Sequence, residues 1–235
     1  MIKTPGEIAR LGAVMFVGAH PDDELMNAGG ILAAAVRNGQ RVRTLSATHG
    51  EAGARPGWPK DIIGDIRTQE QAASMAVLGI KDQVWLNYHD GFLADTDGMD
   101  ALAQLGRAVN DFRPDTILTF GPDGLTGHPD HRTISRWVGE LESKANVYWI
   151  VVEPEQYEQL RAADEAINIF FKIKQPPLVP SEKCAIDFKL TPELTDLKRK
   201  AFEAVPSQYE RLFETKPFAR PGEALARECF VKATK

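Results

Sequence analysis

The sequence has little cysteine, no long apolar run and no excess of positive charge. Its 235 residues include two cysteines, Cys184 and Cys229, too few and too far apart for a disulfide framework or a thiolate metal site. We therefore expect two free thiols. The longest apolar runs, near residues 13–19 and 147–152, fall far short of the roughly 20 residues that span a bilayer. The net charge of −5 offers no basic surface, so neither nucleic acid nor a membrane is an expected partner.

The amino terminus also lacks the features of a secretory leader. Residues 1–7 contain no charged segment followed by an apolar core, so we expect a protein that acts in the cytoplasm. Hydrophobic residues make up 43% of the chain and charged residues 26%, which is typical of a globular protein. The length predicts a single domain over residues 1–235. The sequence leaves the oligomeric state open, a homo-oligomer included.

Strand and helix patterns alternate along the first 140 residues. Strands are predicted over residues 13–19, 41–48, 84–88, 115–120, 147–152, 167–173, 185–188 and 229–231. Helices are predicted over residues 25–38, 62–78, 99–112, 128–141, 154–163 and 191–205. The alternation is typical of an α/β fold with a Rossmann-like, mostly parallel sheet flanked by helices. We expect the later strands to extend that sheet or to form a small ribbon over it.

Polar residues follow each of the first four predicted strands. The first strand ends in His-Pro-Asp-Asp at 20–23, and the loop after the fourth ends in His-Pro-Asp-His at 128–131. Proline fixes its own φ and lacks an N–H, which predicts both prolines in the first turn of a helix. Because the carboxyl ends of parallel strands lie at one edge of a sheet, we expect these polar clusters there, where α/β folds bind ligands.

The residue types favour a metal or catalytic site over simple helix caps. The helix dipole alone would explain the acids at 22–24, but two histidine-containing tetrapeptides of the same form are rare by chance. His20 and Asp23 can supply an imidazole and a carboxylate to one metal ion, with Asp22 beside them as a candidate base. The spacing alone does not choose between His128 and His131 as a further ligand.

These motifs resemble the LmbE-like, or PIG-L, family of zinc-dependent N-deacetylases. That family includes the N-acetylglucosaminyl-phosphatidylinositol de-N-acetylases and the deacetylases of mycothiol and bacillithiol synthesis. The resemblance rests on residues 19–24, 48–51 and 67–70, on Arg-Pro-Asp at 113–115 with 128–131, and on Lys198 and Ala201 followed by Ser-Gln at 207–208. It implies a Rossmann-like sheet and hydrolysis of the acetamide of an N-acetylglucosamine-type amino sugar or conjugate, a small-molecule substrate.

The resemblance also implies roles for individual residues. The implied zinc ligands are His20, Asp23 and His131. Such a site also accepts Fe²⁺ or another divalent metal. The implied catalytic residues are Asp22 as the base and His128, which stabilises the oxyanion. From the chemistry of the reaction we expect His128 to be protonated, and we expect Asp130 to orient a histidine through a hydrogen bond.

Substrate-binding residues are expected at Arg67, Glu51 and Trp58. Arg67 and Glu70 are three residues apart on a predicted helix, and a simple pair between them is an equal alternative. Trp58, in the Gly/Pro-rich loop 49–60, would stack on a sugar face or bury the loop.

Other positions leave the substrate open. Thr126 stands where some members of the family carry a tyrosine, and Val205 stands where histidine is common. His49 and His89 are expected either to contact and support the residues of the site or to be loop histidines with structural hydrogen bonds.

Two rival functions are compatible with the sequence. One is a metal-dependent amidase acting on another acyl amine, since no residue specifies the sugar. The other is a non-catalytic nucleotide-binding Rossmann module. The second is disfavoured because acids stand after the first strand in place of a G-x-G-x-x-G loop, and carboxylates repel phosphate.

Overall fold

The computed structural model describes residues 1–54, 56–167, 170, 173–210 and 225–234. The strands within these residues are β1 (Val14–Gly18), β2 (Val42–Thr48), β3 (Asp82–Tyr88), β4 (Thr116–Thr119), β5 (Asn146–Val151), β6 (Ile186–Lys189) and β7 (Arg227–Lys232). The helices are α1 (Asp23–Arg37), α2 (Ile63–Leu78), α3 (Gly98–Phe112), α4 (Gly124–Gly127), α5 (Pro129–Glu140), α6 (Pro154–Ile167), α7 (Pro192–Glu203) and α8 (Pro206–Tyr209). Short 3-10 helices cover Pro5–Leu11, Leu93–Asp95 and Ser181–Lys183.

The described strands form one sheet in the order β3-β2-β1-β4-β5-β7-β6. The pairs from β3 to β5 are parallel, and β7 runs antiparallel to both β5 and β6. This confirms the predicted mostly parallel sheet with later strands that extend it. Successive strands are added outward on one side of β1 and then on the other, so the order reverses between β1 and β4. Open α/β sheets bind ligands at such a switch point.

Two groups of helices flank the sheet. Helices α1, α2 and α7 pack against one another, and α3 packs against α5. Parallel crossovers are right-handed, so a reversal in strand order places the following helices on the opposite face of the sheet. All five residues of β1 are buried, as a central strand covered on both faces requires.

Two predictions about local structure are wrong in part. Pro129 is the first residue of α5, as expected, but Pro21 precedes α1, which begins at Asp23. Asp22 lies between Pro21 and α1 with φ 106°, a left-handed conformation that cannot continue a helix. The strand predicted over 167–173 also differs, because α6 continues to Ile167; residues 168, 169, 171 and 172 lie outside the described part of the chain.

The other predicted helices and strands are present close to their expected bounds, including β6, α7 and the short strand β7, whereas the short helices α4 and α8 were not predicted. Cys184 and Cys229 are free, as expected, although the fold brings them together in a small apolar cluster with Val151. None of the helices in the described part of the chain combines the length and apolar character that a bilayer crossing needs.

Candidate metal and catalytic site

The two tetrapeptides meet at the switch point between β1 and β4. His20 lies just after β1, and His131 lies in the first turn of α5. Nδ1 of His20 is 3.2 Å from Nε2 of His131, and both residues are buried. The fold thus brings together residues that are 111 positions apart in the sequence.

The Asp23 carboxylate completes a set of three converging groups. Its Oδ1 lies 3.4 Å from Nε2 of His131, and its Oδ2 lies 3.9 Å from Nδ1 of His20. Ligand atoms held at 2.0–2.2 Å from a tetrahedral zinc ion are about 3.4 Å apart. The distances among His20, Asp23 and His131 are near this spacing, although those from Asp23 are to two different oxygens. Among the described residues, the groups whose ligand atoms all lie within 4.8 Å of one another are His20, His128 and His131, and His20, Asp90 and Asp130.

Hydrogen bonds at the far side of each imidazole orient the two rings. Nε2 of His20 is 3.0 Å from Oδ1 of Asp90 and 3.3 Å from Oδ2 of Asp130, while Nδ1 of His131 is 3.0 Å from the Gly124 carbonyl oxygen. These nitrogens are placed to donate their protons to oxygen. The facing nitrogens could then bind a metal ion, since histidines that ligate metals commonly donate the other ring N–H to an oxygen.

Charges at the site shift the pKa values of both His20 and Asp23. Burial opposes protonation of His20, but hydrogen bonds to Asp130 and Asp90 outweigh it and raise its pKa to about 10. Burial likewise opposes ionisation of Asp23, yet the nearby His131 and His20 hold its pKa well below the usual range. The surroundings therefore favour His20 as a cation and Asp23 as an anion, and the two charges stabilise each other.

Asp22 stands beside these groups in a strained backbone conformation, with φ 106° and ψ −18°. Burial raises the pKa of this carboxyl, and the Arg67 guanidinium, whose Nη2 is 3.3 Å from Oδ2, acts in the opposite direction. The Tyr209 side chain also hydrogen-bonds to Asp22. A carboxylate made more basic by burial and oriented by two partners suits a general base.

His128 lies close to both His20 and His131, with ring centroids 4.8 Å and 5.1 Å away. Burial and the neighbouring His20 and His131 lower its pKa to about 4. Its Nδ1 accepts a hydrogen bond from the Asp130 N–H at 3.1 Å, so the neutral ring carries its proton on Nε2. These surroundings disfavour the protonated His128 that the sequence predicted. The residue can still serve as a neutral hydrogen-bond donor.

A cavity of about 520 Å³ opens onto these groups. Its polar wall includes His20, Asp22, Asp23, Arg67, Asp90, His128, His131 and Tyr209. Apolar side chains, Ile150, Val152, Leu160 and Phe170 among them, line another part of it. The volume lies within the range of small-molecule sites.

Arg67 reaches the site, but as a buried support for the loop and the base. Besides Asp22, its guanidinium donates to the carbonyl oxygens of Gly50 at 2.9 Å and Pro21 at 2.8 Å. It does not pair with Glu70. That carboxylate instead accepts hydrogen bonds from the N–H and hydroxyl of Ser207.

The other two predicted substrate-binding residues do not line the cavity. Oε1 of Glu51 accepts a hydrogen bond from the Asp90 N–H at 2.9 Å and so fixes a residue that supports His20. Trp58 lines a neighbouring hollow together with Pro206, and Gln208 lies on the walls of both spaces.

His49 and His89 also lie away from the cavity. His49 stacks on Trp85 with ring centroids 4.6 Å apart, and its ring nitrogens contact Thr68 and Asn87. The side chain of His89 is 91% exposed. His49 therefore has the contacts of a structural histidine. Thr126 lines the cavity, with its hydroxyl 3.4 Å from Nδ1 of His131.

Two residues at the site were not predicted. Asp90 follows β3 at the carboxyl edge of the sheet, so its position at a strand end is a signal that the sequence carries. Tyr209 ends the short helix α8, and no local pattern distinguishes it, because only the packing of α8 brings it to Asp22.

Comparison with known proteins finds similar sequences among deacetylases. The chain is 33% identical over 167 residues to the 1D-myo-inositol 2-acetamido-2-deoxy-alpha-D-glucopyranoside deacetylase of Mycobacterium sp. (strain KMS), covering 59% of this chain and 54% of that protein. It is 30% identical over 174 residues to the enzyme of the same name from Corynebacterium diphtheriae, covering 63% and 59%. The chain thus spans little more than half the length of the curated relatives it matches.

Solved structures share the fold at lower sequence identity. N,N'-diacetylchitobiose deacetylase from Pyrococcus horikoshii aligns with a TM-score of 0.65 and 21% identity, covering 94% of this chain and 83% of that one. GalB, the 4-carboxy-2-hydroxymuconate hydratase of Pseudomonas putida KT2440, aligns with a TM-score of 0.66 and 18% identity, covering 95% and 97%. Since one is a deacetylase and the other a hydratase, this likeness shows the fold and not the reaction.

The sequence model of the PIG-L family, described as GlcNAc-PI de-N-acetylase, matches residues 15–141. The matched stretch is more than half of the chain and contains both tetrapeptides that meet at the switch point. The chain therefore belongs to the PIG-L family.

Proposed function

We propose that this chain is a zinc-dependent hydrolase that removes the acetyl group from an N-acetylglucosamine-type amino sugar or its conjugate. The convergence of His20, His131 and Asp23 beside Asp22 on the wall of one cavity carries the proposal. The family and the acetamido-sugar deacetylases among its relatives support the substrate class.

The residues present fit a catalytic zinc site. Two imidazole nitrogens and one carboxylate would hold the ion and leave a coordination position open, as catalytic zinc sites do. Bound there, zinc would polarise the amide carbonyl and lower the pKa of a water molecule. The same donor set accepts Fe²⁺ and other divalent ions, so the metal is part of what the experiment must establish.

Asp22 is the proposed general base. Its carboxylate removes a proton from the attacking water, and the raised pKa makes it a better acceptor than an ordinary aspartate. Arg67 and Tyr209 hold the carboxylate in place. The proton taken up by Asp22 is then available for the amine that leaves as the C–N bond breaks.

His128 is the proposed partner of the developing oxyanion. As a neutral imidazole it donates the Nε2–H to the amide oxygen, while Nδ1 stays bonded to the Asp130 N–H. This differs from a cationic partner because its proton is not lost as the pH rises through the neutral range. Asp130 contacts both His128 and His20: its N–H donates to His128, and its carboxylate contacts Nε2 of His20.

The test is acetate release from a panel of N-acetyl compounds by protein stripped of metal and refilled with zinc or Fe²⁺. The panel contains N-acetylglucosamine conjugates and N-acetyl amino acids. We expect acetate from the sugar conjugates only when metal is present. Release from the amino acids alone would favour an amidase on another acyl amine, and metal-independent release would overturn the mechanism.

A further inference from the structure

A buried ion pair joins α7 to β7 against the first helix. Nζ of Lys198 lies 2.7 Å from Oε1 of Glu228, and the two residues are 1% and 2% exposed. A buried ion pair seldom stabilises a fold more than well-packed apolar side chains would, because both charges lose their hydration. The geometric effect of this pair is therefore of greater interest than its contribution to stability.

The pair binds the backbone of α1 at three points. Nζ of Lys198 donates to the carbonyl oxygen of Met26 at 2.9 Å, and the two Glu228 oxygens accept the N–H groups of Gly30 and Ile31, each at 2.7 Å. In a regular helix the N–H of residue 30 donates to the carbonyl of residue 26. The ion pair supplies a charged partner to each of these two groups.

Gly30 allows the chain before α7 to come this close. A Cβ at this position would lie 2.5 Å from Cδ2 of Leu190, two residues before α7 begins. A side chain here would separate α1 from α7 and weaken the contact between Lys198 and the helix backbone.

Met26, the first residue of α1 that the ion pair contacts, lies about one helical turn after Asp22 and Asp23. The N–H of Met26 donates to the Asp22 carbonyl at 2.9 Å, and the Asn27 amide donates to the Asp23 carbonyl at 2.8 Å. Asp22 holds φ 106°, and a non-glycine residue keeps such a conformation only when its surroundings constrain it. Met26 therefore links the two: its carbonyl accepts a hydrogen bond from Lys198, and its N–H donates one to the carbonyl of Asp22.

We infer that Lys198 and Glu228 are positioning residues, which fix the first turn of α1 so that Asp22 and Asp23 face the cavity at the spacing the reaction needs. The inference rests on the proposed function, because it assigns the pair a role in that same site. Neither side chain is assigned a contact with the reacting atoms.

The test compares single and double substitutions. Lys198→Met and Glu228→Met each leave one buried charge unpaired and should lower Tm. In the double variant no buried charge remains unpaired, so Tm should recover to within a few degrees of the wild type. The first turn of α1, however, is then no longer held from outside.

The double variant should therefore bind zinc about tenfold or more weakly, a typical scale for losing support behind a metal ligand, and kcat should fall with it. Amide hydrogen exchange over residues 20–27 should also become faster. A double variant that recovers Tm together with wild-type zinc affinity and exchange would show that the pair is only structural and would overturn the inference.

Two further measurements keep the outcome decisive. Arg43→Met removes two other ion pairs, those of Arg43 with Asp82 and Asp111; it should lower Tm without changing zinc affinity.

If the double variant does not fold, the nearly isosteric Glu228→Gln can be studied below its Tm. It should show the same weaker zinc binding and faster exchange, and normal values would refute the inference. If the wild type releases no acetate, the proposed function fails, while exchange over residues 20–27 still tests the positioning role.

Discussion

Asp22 and Asp23 are adjacent, yet their carboxyl groups have opposite pKa shifts. Burial raises the pKa of Asp22, whereas His131 and His20 hold the pKa of Asp23 well below the usual range against the effect of burial. Replacing each with asparagine removes the charge at nearly constant size. The two variants should therefore change stability in opposite directions.

The signs follow from linkage between proton binding and folding. An acid whose folded pKa is raised costs stability when it ionises, and the cost grows as the pH rises from the unfolded to the folded pKa. Asp22→Asn should therefore leave the metal-free protein as stable as the wild type or more so at neutral pH. An acid whose folded pKa is lowered contributes stability above its unfolded pKa, so Asp23→Asn should lower Tm.

Activity should follow a different pattern. Loss of a general base costs about 10²-fold to 10⁴-fold in rate, which corresponds to roughly 2.7 to 5.4 kcal/mol of transition-state stabilisation. Asp22→Asn should lose at least 10²-fold in kcat while it keeps its zinc. Asp23→Asn should lose both zinc and activity, because it removes one of three protein ligands.

Thermal unfolding of the metal-free proteins, zinc titration and acetate release together test these expectations. The reasoning fails if Asp22→Asn turns over at a near-normal rate with zinc bound, since another group must then be the base. It also fails if Asp22→Asn destabilises the metal-free protein as much as Asp23→Asn does. In that case the charge of Asp22 is stabilising, and its raised pKa does not describe the folded state.

Three further substitutions test the groups around the base. His128→Ala should lower kcat about 10²-fold. The shape of the pH profile between about pH 6 and 9 should not change, because a His128 with a pKa of about 4 is already neutral there. If the wild-type profile falls at high pH and this fall is absent in the variant, the low pKa is contradicted. Tyr209→Phe removes a hydrogen bond to Asp22 and should lower kcat about tenfold with little change in KM, and an unchanged kcat would refute this role. Gly53→Ala brings a Cβ against Nη1 of Arg67, whose buried guanidinium must then give up hydrogen bonds, so both kcat and Tm should fall. A wild-type rate would show that Arg67 can move without effect on Asp22.

The parts of the fold that follow from local physics could be predicted. The apolar run at 13–19 forms a central buried strand, and Thr191 caps α7 by accepting a hydrogen bond from the Leu194 N–H. Pro129 begins α5 because its ring fixes a helical φ. The same property did not place Pro21 in α1, since the left-handed Asp22 that follows it is a consequence of packing that no local preference reveals.

The sequence by itself determined the residue types of the site and the edge of the sheet where they gather, because strand ends and helix starts depend on neighbours along the chain. Only the tertiary structure decided how those residues act. The neutral state of His128 depends on burial beside two other histidines, and Tyr209 and the pair Lys198–Glu228 reach α1 from the far end of the chain. Charge, burial and hydrogen bonding between distant segments arise only when the chain has folded, so no local pattern could have shown them.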